Sequence, residues 1–416
     1  MTENTEWGSC SRRRFLQFGG LAALTVALPA GGIAGLAGCR SEAGDAVFRG
    51  VRTITDQAGR ELKIPTPEAL ERVYFTSPLA QVFVFSLAPQ LMAGTGMTFT
   101  NQELAFLPEG TADLPNMGSL SGNGEIDREE LVAKDVQIVF SISGVPLTPS
   151  NISDADKLQK QTGIPVVCID GSFDKIADAY RFLGDVLGTK DRAEDLAQYL
   201  EDIYAKVTAA VGDLGDAEKV SLYYAEGPLG LQTEPDVSQH ALTFEIAGAR
   251  NVAAVEEAQG LGMSNVSLES VIAWNPEVIV AWDDVVRGGA DEIIRTKEAW
   301  STIQAVRDGR VYTMPNVPYA WCDRPPGVNR FIGIQWVANM LYPDLFDVDM
   351  VDVTKDFYQR MYWVDVTTDQ ALAILGNSYP PRGKQAKYTP SADYQDITGD
   401  TGMSPDDMSS RIEGGD

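Results

Sequence analysis

Two stretches of the chain carry the same pattern, and a long helix lies between them. The first, 126–143, runs Ile-Asp-Arg-Glu-Glu-Leu-Val-Ala-Lys-Asp-Val-Gln-Ile-Val-Phe-Ser-Ile-Ser. The second, 266–283, runs Val-Ser-Leu-Glu-Ser-Val-Ile-Ala-Trp-Asn-Pro-Glu-Val-Ile-Val-Ala-Trp-Asp. Aligned, Glu129 falls on Glu269, Leu131-Val132 on Val271-Ile272, and Ile138-Val139 on Ile279-Val280. Each copy has a short helix, a turn and a buried β-run, so the chain is expected to fold into two similar α/β lobes. The intervening segment, 190–212, has apolar residues at Ala193, Leu196, Ala197, Leu200, Ile203, Tyr204, Val207, Ala210 and Val211. That three-and-four spacing draws one stripe along a helix. Arg192, Glu194, Asp195, Glu201, Asp202 and Lys206 form the opposite, charged face. Thr189 can cap the start, and Asp191 suits the positive end of the helix dipole. Such a helix spans roughly 35 Å, enough to cross a domain. A shorter helix, 173–187, precedes it and ends at Gly188.

The N-terminal residues 1–39 are set aside as an export signal. Ser11-Arg12-Arg13-Arg14-Phe15-Leu16-Gln17 fits a twin-arginine pattern, a Gly/Ala-rich apolar stretch follows, and Leu36-Ala37-Gly38-Cys39 fits a lipoprotein cleavage box. Cys39 would then become the acylated first residue, tying an extracytoplasmic protein to the cell membrane. Residues 40–50 form a tether. The remaining boundaries are an N-terminal lobe 51–188, the linking helix 189–213, a C-terminal lobe 214–380 and a disordered acidic tail 381–416, rich in Ser, Asp and Gly.

Net charge is −26 over 416 residues, which argues against nucleic acid as a partner. Of four cysteines, Cys10 and Cys39 sit in the leader; Cys168 and Cys322 fall in different lobes, and neither has the spacing of a zinc site or a CxxC motif. Within the first lobe, 51–65 alternates around Asp56-Gln-Ala-Gly59 as a hairpin. Strands are expected at 72–76, 91–94, 136–142 and 164–169, with a helix from Ser77-Pro78 to Leu87. In the second, strands are expected at 219–225, 277–282 and 310–313, and helices at 241–247, 327–341 and 353–362. Strands alternating with helices argue a parallel, doubly wound sheet in each lobe.

Several segments resemble the substrate-binding lipoproteins of ABC importers for iron–siderophore complexes, vitamin B12 and haem. They are Thr53-Ile-Thr-Asp-Gln-Ala-Gly-Arg60, Gly163-Ile-Pro-Val-Val167, Glu245-Ile-Ala-Gly-Ala-Arg-Asn-Val252, 268–280, 305–312 and 336–346. Together they cover nearly everything from 51 to 375. The resemblance implies two Rossmann-like lobes bridged by one rigid helix, with ligand held between them. It also implies one exposed glutamate per lobe that pairs with permease arginines, here Glu129 and Glu269, with Glu130 as a neighbouring rival to Glu129.

A cleft between two such sheets lies at the carboxyl ends of their strands. That geometry nominates Ser77, the loop 95–98, Ser119, Ser141 and Ser143 from the first lobe. From the second it nominates Tyr224, Glu226, His240, Trp282, Trp321, Arg324 and Arg330. Arginine grips carboxylate or catecholate oxygens through a planar fork, and tryptophan supplies flat apolar area. With one histidine in the chain, a bare metal site is disfavoured. The expected cargo is therefore a ferric siderophore or similar metal chelate, with no intrinsic cofactor. Haem or a corrinoid, with His240 as axial ligand, is the alternative. A small oxyanion such as molybdate is the third option, held by backbone N–H groups at turns like Thr76-Ser77. No nucleophile–base pair and no Gly-rich phosphate loop argues for catalysis, and Glu226 with Asp283 is the one carboxylate pair an enzyme could use. The expected protein is a monomeric binding protein, not an enzyme, that hands its cargo to a permease and its ATPase.

Overall fold

The computed structural model describes residues 50–121, 124–258, 262–284 and 288–378. The leader with Cys39, most of the tether and the tail from 381 onward lie outside the described residues. In the first lobe, β1 (Val51–Thr55) and β2 (Glu61–Pro65) form an antiparallel hairpin. Its turn is built by the buried Asp56 carboxylate, which accepts from Ala58 N, Arg60 N and the Arg60 guanidinium. Asp56 also accepts from Cys168 N at 3.0 Å, pinning the hairpin to the main sheet.

That sheet contains β3 (Val73–Phe75), β4 (Ile138–Ser143) and β5 (Val166–Asp170), parallel and in that order. Its helices are α1 (Pro78–Leu87), α2 (Asn101–Leu104), α3 (Arg128–Ala133), α4 (Pro149–Thr162) and α5 (Ile176–Leu187). The expected strand at 91–94 is not one. Pro89–Leu91 is a 3₁₀ turn, and Met92 makes a single bridge to Val73. A Cβ at Gly94 would lie 2.6 Å from Pro115 O, so the segment around Pro115 already covers this stretch.

The linking helix is α6 (Lys190–Val211), packed along α5 and against the second lobe. Ala193, Leu196, Ala197, Leu200, Ile203, Val207 and Val211 are buried, as the stripe requires. Two details differ from expectation. Tyr204 is 43% exposed, resting edge-on against Phe173. Thr189 makes no side-chain capping bond, and its Oγ1 is buried without a partner. Gly188 ends α5 in the left-handed conformation, and Thr189 at φ −114°, ψ 40° departs from the extended conformation typical of an N-cap.

The second lobe contains β6 (Ser221–Ala225), β7 (Gln232–Thr233), β8 (Arg250–Asn251), β9 (Ser264–Asn265), β10 (Val278–Trp282) and β11 (Val311–Met314). Its helices are α7 (Leu242–Ile246), α8 (Leu268–Trp274), α9 (Asp291–Thr296), α10 (Gln304–Arg307), α11 (Arg330–Leu341), α12 (Met350–Tyr362) and α13 (Thr368–Leu375). The main sheet is parallel, in the order β11-β10-β6-β8. β6 and β10 are buried at every residue, as strands covered on both faces must be. The repeat is visible directly: α3 leads to β4 and α8 leads to β10, each the strand between two neighbours.

One apolar core runs through the first lobe, along α6 and into the near face of the second sheet. A second, smaller core lies on the far face, around Tyr223, Val271, Ile279 and Trp300. All of α11 is buried, sandwiched by α6, α7 and α12. The lobes also touch directly. Phe173 stacks on Phe331 at 4.6 Å, and Gln81 Nε2 donates to Tyr319 Oη at 3.0 Å. The fold is therefore two α/β lobes bridged by α6, as the duplicated unit implied.

Candidate functional site

A cleft of about 290 Å³ opens between the lobes where their strands end. The first lobe supplies Thr76 and Ser77 after β3, Leu120 and Ser121, Ser141 to Val145 at the end of β4, and Asn151 and Asp154 of α4. The second supplies Gln239 and Pro326. Ser77 caps α1, its Oγ accepting from Ala80 N at 3.2 Å. The positive end of that helix therefore faces the cleft beside a row of hydroxyls. At the back the lobes nearly meet. A Cβ on Gly144 would lie 3.3 Å from Pro326, and one on Gly327 would lie 2.6 Å from Leu79. Two lining atoms are buried without a hydrogen-bond partner: Ser121 Oγ and Gln239 Oε1. A buried polar atom without a partner is costly, so either atom gains by meeting one.

Of the first-lobe residues nominated from the sequence, Ser77, Ser141 and Ser143 line the cleft. Ser119 does not: it is buried beside the cleft, and Leu120 and Ser121 line it instead. Leu120 N bonds Thr76 O at 2.7 Å, and this pairing sets which residues of the segment reach the cleft. The loop 95–98 is absorbed into the first lobe: Gly96 N bonds Gln81 Oε1, and Thr95 pairs with Asn116.

The residues nominated from the second lobe do not line the cleft. They form a buried network behind its wall. Arg324 lies 3.3 Å from Glu226, 3.0 Å from Glu234 and 3.2 Å from Asp323. His240 Nδ1 bonds Asp323 Oδ1, and Trp282 lies under the Arg324 guanidinium at 5.3 Å. Trp321 is fully buried and donates to Tyr358 Oη; Tyr224 packs on Phe244. Arg330 opens α11, only 1% exposed, with Nε and Nη2 unpartnered. His240 is 7% exposed and is not among the residues that line the cleft.

Burial dominates the electrostatics here. It pushes the Glu226 carboxyl well above the usual carboxylate range, and Asp323 and Glu234 add to the rise against the pull of Arg324. Burial also works against ionising Asp323, but His240 and Arg324 outweigh it and hold that carboxyl below its ordinary value. Burial lowers Arg330 to about 10. Sequence reasoning missed Asp323 and Glu234, the partners that remove Arg324 from the cleft. Asp323 was legible as the neighbour of Arg324; nothing local marks Glu234.

Outside the cleft, Cys168 and Cys322 are both buried free thiols, in line with their separation in sequence. Burial raises Cys168 to about 11, which makes it a poor nucleophile. Glu129 and Glu269 are exposed on the matching helices α3 and α8. Glu130 is half-buried and within 3.6 Å of Lys134, so Glu129 is the freer of the two. Among the described residues, no group of three or more His, Cys, Asp or Glu side chains is arranged to hold a metal ion. No helix among them is long and apolar enough to cross a membrane.

Comparison with known proteins accounts for this geometry. Residues 118–318 match the family model described as periplasmic binding protein. The molybdate-binding protein MolA of Haemophilus influenzae is 29% identical over 347 residues, covering 77% of this chain and 93% of that one. The solved structure of MolA bound to molybdate aligns at 25% identity and a TM-score of 0.58, over 76% of this chain and 99% of MolA. An ABC transporter solute-binding protein from Sulfurospirillum deleyianum aligns at 26% identity and a TM-score of 0.70, over 78% of this chain and 99% of that one. Over its central part, 118–318, the chain is similar to the periplasmic binding proteins, and it is an extracytoplasmic substrate-binding component of an ABC importer rather than an enzyme.

Proposed function

We propose that the cargo is a small oxyanion of the molybdate type, captured in the cleft between the lobes. The observation that carries this reading is the hydroxyl-lined cleft itself. Thr76, Ser77, Ser121, Ser141 and Ser143 ring a space of about 290 Å³, and Ser121 Oγ has no partner within the protein. Neutral hydroxyl donors and a helix N-terminus suit a compact anion. The space lies at the low end of ligand pockets, which run from about 300 to 1,000 Å³. A ferric siderophore, the cargo expected from the sequence, would need the lobes further apart. Its nominated grips, Arg324 and Trp321, are also committed to internal partners. The similarity to molybdate-binding MolA supports the same reading. Calorimetric titration with molybdate, tungstate, sulfate and a ferric siderophore tests it. Saturable binding of molybdate or tungstate is expected, and binding of the siderophore alone would overturn it.

In this reading Cys39 carries the lipid that keeps the monomer at the membrane, and Glu129 and Glu269 dock the permease. The two glutamates stand exposed at equivalent places in the two lobes, with Val132 and Ile272 exposed three residues on. The double substitution Glu129→Ala/Glu269→Ala is expected to abolish uptake in a transport assay while leaving cargo affinity unchanged. Loss of cargo affinity with docking intact would contradict the assignment.

A further inference from the structure

We propose that Asn151, on the first turn of α4, is a cargo-binding residue: the helix cap holds its side-chain amide by the oxygen and leaves the nitrogen to donate to an oxyanion. The inference rests on the cleft being the cargo site.

The cap comes first. α4 is entered through Thr148-Pro149-Ser150-Asn151. Thr148 N donates to Asn151 Oδ1 at 2.9 Å, and Thr148 Oγ1 donates to the same oxygen at 2.7 Å. Asn151 N in turn donates to Thr148 Oγ1 at 3.3 Å. This is a capping box, with asparagine in the place more often held by glutamate or glutamine. A backbone N–H can only give, so the atom it meets is the amide oxygen, and that fixes the orientation of the amide. The two N–H groups of Nδ2 are left over, and Nδ2 makes no hydrogen bond among the described residues.

The cleft comes second. Asn151 is half-buried and lines it. Both helices that start at the cleft, α1 and α4, use up their backbone donors on their own caps. Pro78 and Pro149 have no N–H. Ala80 N and Gln81 N go to Ser77, and Asn151 N and Ile152 N go to Thr148. Side chains must therefore supply most of the donors an anion needs. The serine hydroxyls of the lining can turn to give or to accept. The nitrogen of Asn151 can only give, which suits an oxygen that carries charge and no proton. Among the described lining residues there is no lysine, arginine or histidine. Their one charged side chain is Asp154, three residues on and on the same face of α4. Asp154 works against an anion, so directed hydrogen bonds have to outweigh it.

Calorimetric titration of the full chain with molybdate tests this, with thermal melting on the same samples. Asn151→Asp keeps an oxygen for Thr148 and loses both donors. It is expected to melt no lower than the wild type, since a carboxylate suits the first turn of a helix, and to bind molybdate at least about tenfold more weakly. Asn151→Leu removes the donors and adds no charge. It is expected to melt lower for want of the cap and to bind about 10–10²-fold more weakly. Wild-type affinity in Asn151→Leu overturns the proposal, because any loss in Asn151→Asp is then charge repulsion alone. A direct readout separates donation from a purely structural role. The side-chain amide resonance that both variants lack should shift in the proton–nitrogen spectrum when molybdate is added to the wild type, and an unmoved resonance overturns the proposal. Asp154→Asn removes the opposing charge and is expected to strengthen binding about two- to tenfold. If it does so while Asn151→Leu binds like the wild type, the cleft holds the anion and the inference alone fails. If the wild type does not bind molybdate at all, the cargo reading fails and the inference falls with it.

Discussion

Replacing Arg324 by methionine is expected to lower the free energy of unfolding by about 3–5 kcal/mol. Methionine fills much of the same volume, so packing is nearly conserved and the loss is electrostatic. Without the guanidinium, Glu226, Glu234 and Asp323 face one another inside the second lobe with His240 and Arg330 as their remaining partners. Breaking a buried ion pair from one side is expensive because the abandoned charges stay desolvated. Urea unfolding at neutral pH measures it. A loss below about 1 kcal/mol would place Arg324 among ordinary surface pairs and contradict the network.

The second large effect falls on binding. The double substitution Ser121→Ala/Ser143→Ala is expected to weaken molybdate binding by about 10²–10⁴-fold, since a hydrogen bond to a charged group contributes about 1.5–3 kcal/mol. Folding should be almost untouched. Ser121 Oγ has no partner within the protein, and Ser143 Oγ makes only a long contact of 3.4 Å with Val145 N. Calorimetry and thermal melting on the same samples separate the two. Unchanged affinity would mean the hydroxyl ring is not the cargo site; a large fall in melting temperature would mean these serines hold the lobe together.

The architecture was legible because it repeats. Glu129 over Glu269 and the β-runs at Ile138 and Ile279 are local patterns set by burial, and local patterns survive into the fold. The bridging helix was legible for the same reason, its stripe from Ala193 to Val211 being fixed by a 3.6-residue period. The first-lobe half of the cleft was nearly so, since Ser77 follows one strand and Ser141 and Ser143 end another. The miss from Ser119 to Ser121 is a matter of which neighbour a single backbone bond turns inward. The second-lobe half was not legible. Arg324 and Trp321 carry the chemistry of a ligand grip, but Glu226 and Glu234 lie about ninety residues away in sequence. Residue type alone cannot say whether a carboxylate from the protein or one from the cargo will fill an arginine's fork. The positions that do form the wall, Gln239 and Pro326, are chemically unremarkable and are placed there by the ion network behind them.

The most direct test is a crystal of the chain grown with molybdate and measured at the molybdenum absorption edge. The account predicts one strong anomalous peak between the first-lobe hydroxyls of Ser121 and Ser143 and the second-lobe Gln239. A cleft without anomalous signal, with molybdenum absent or scattered over the surface, would contradict it.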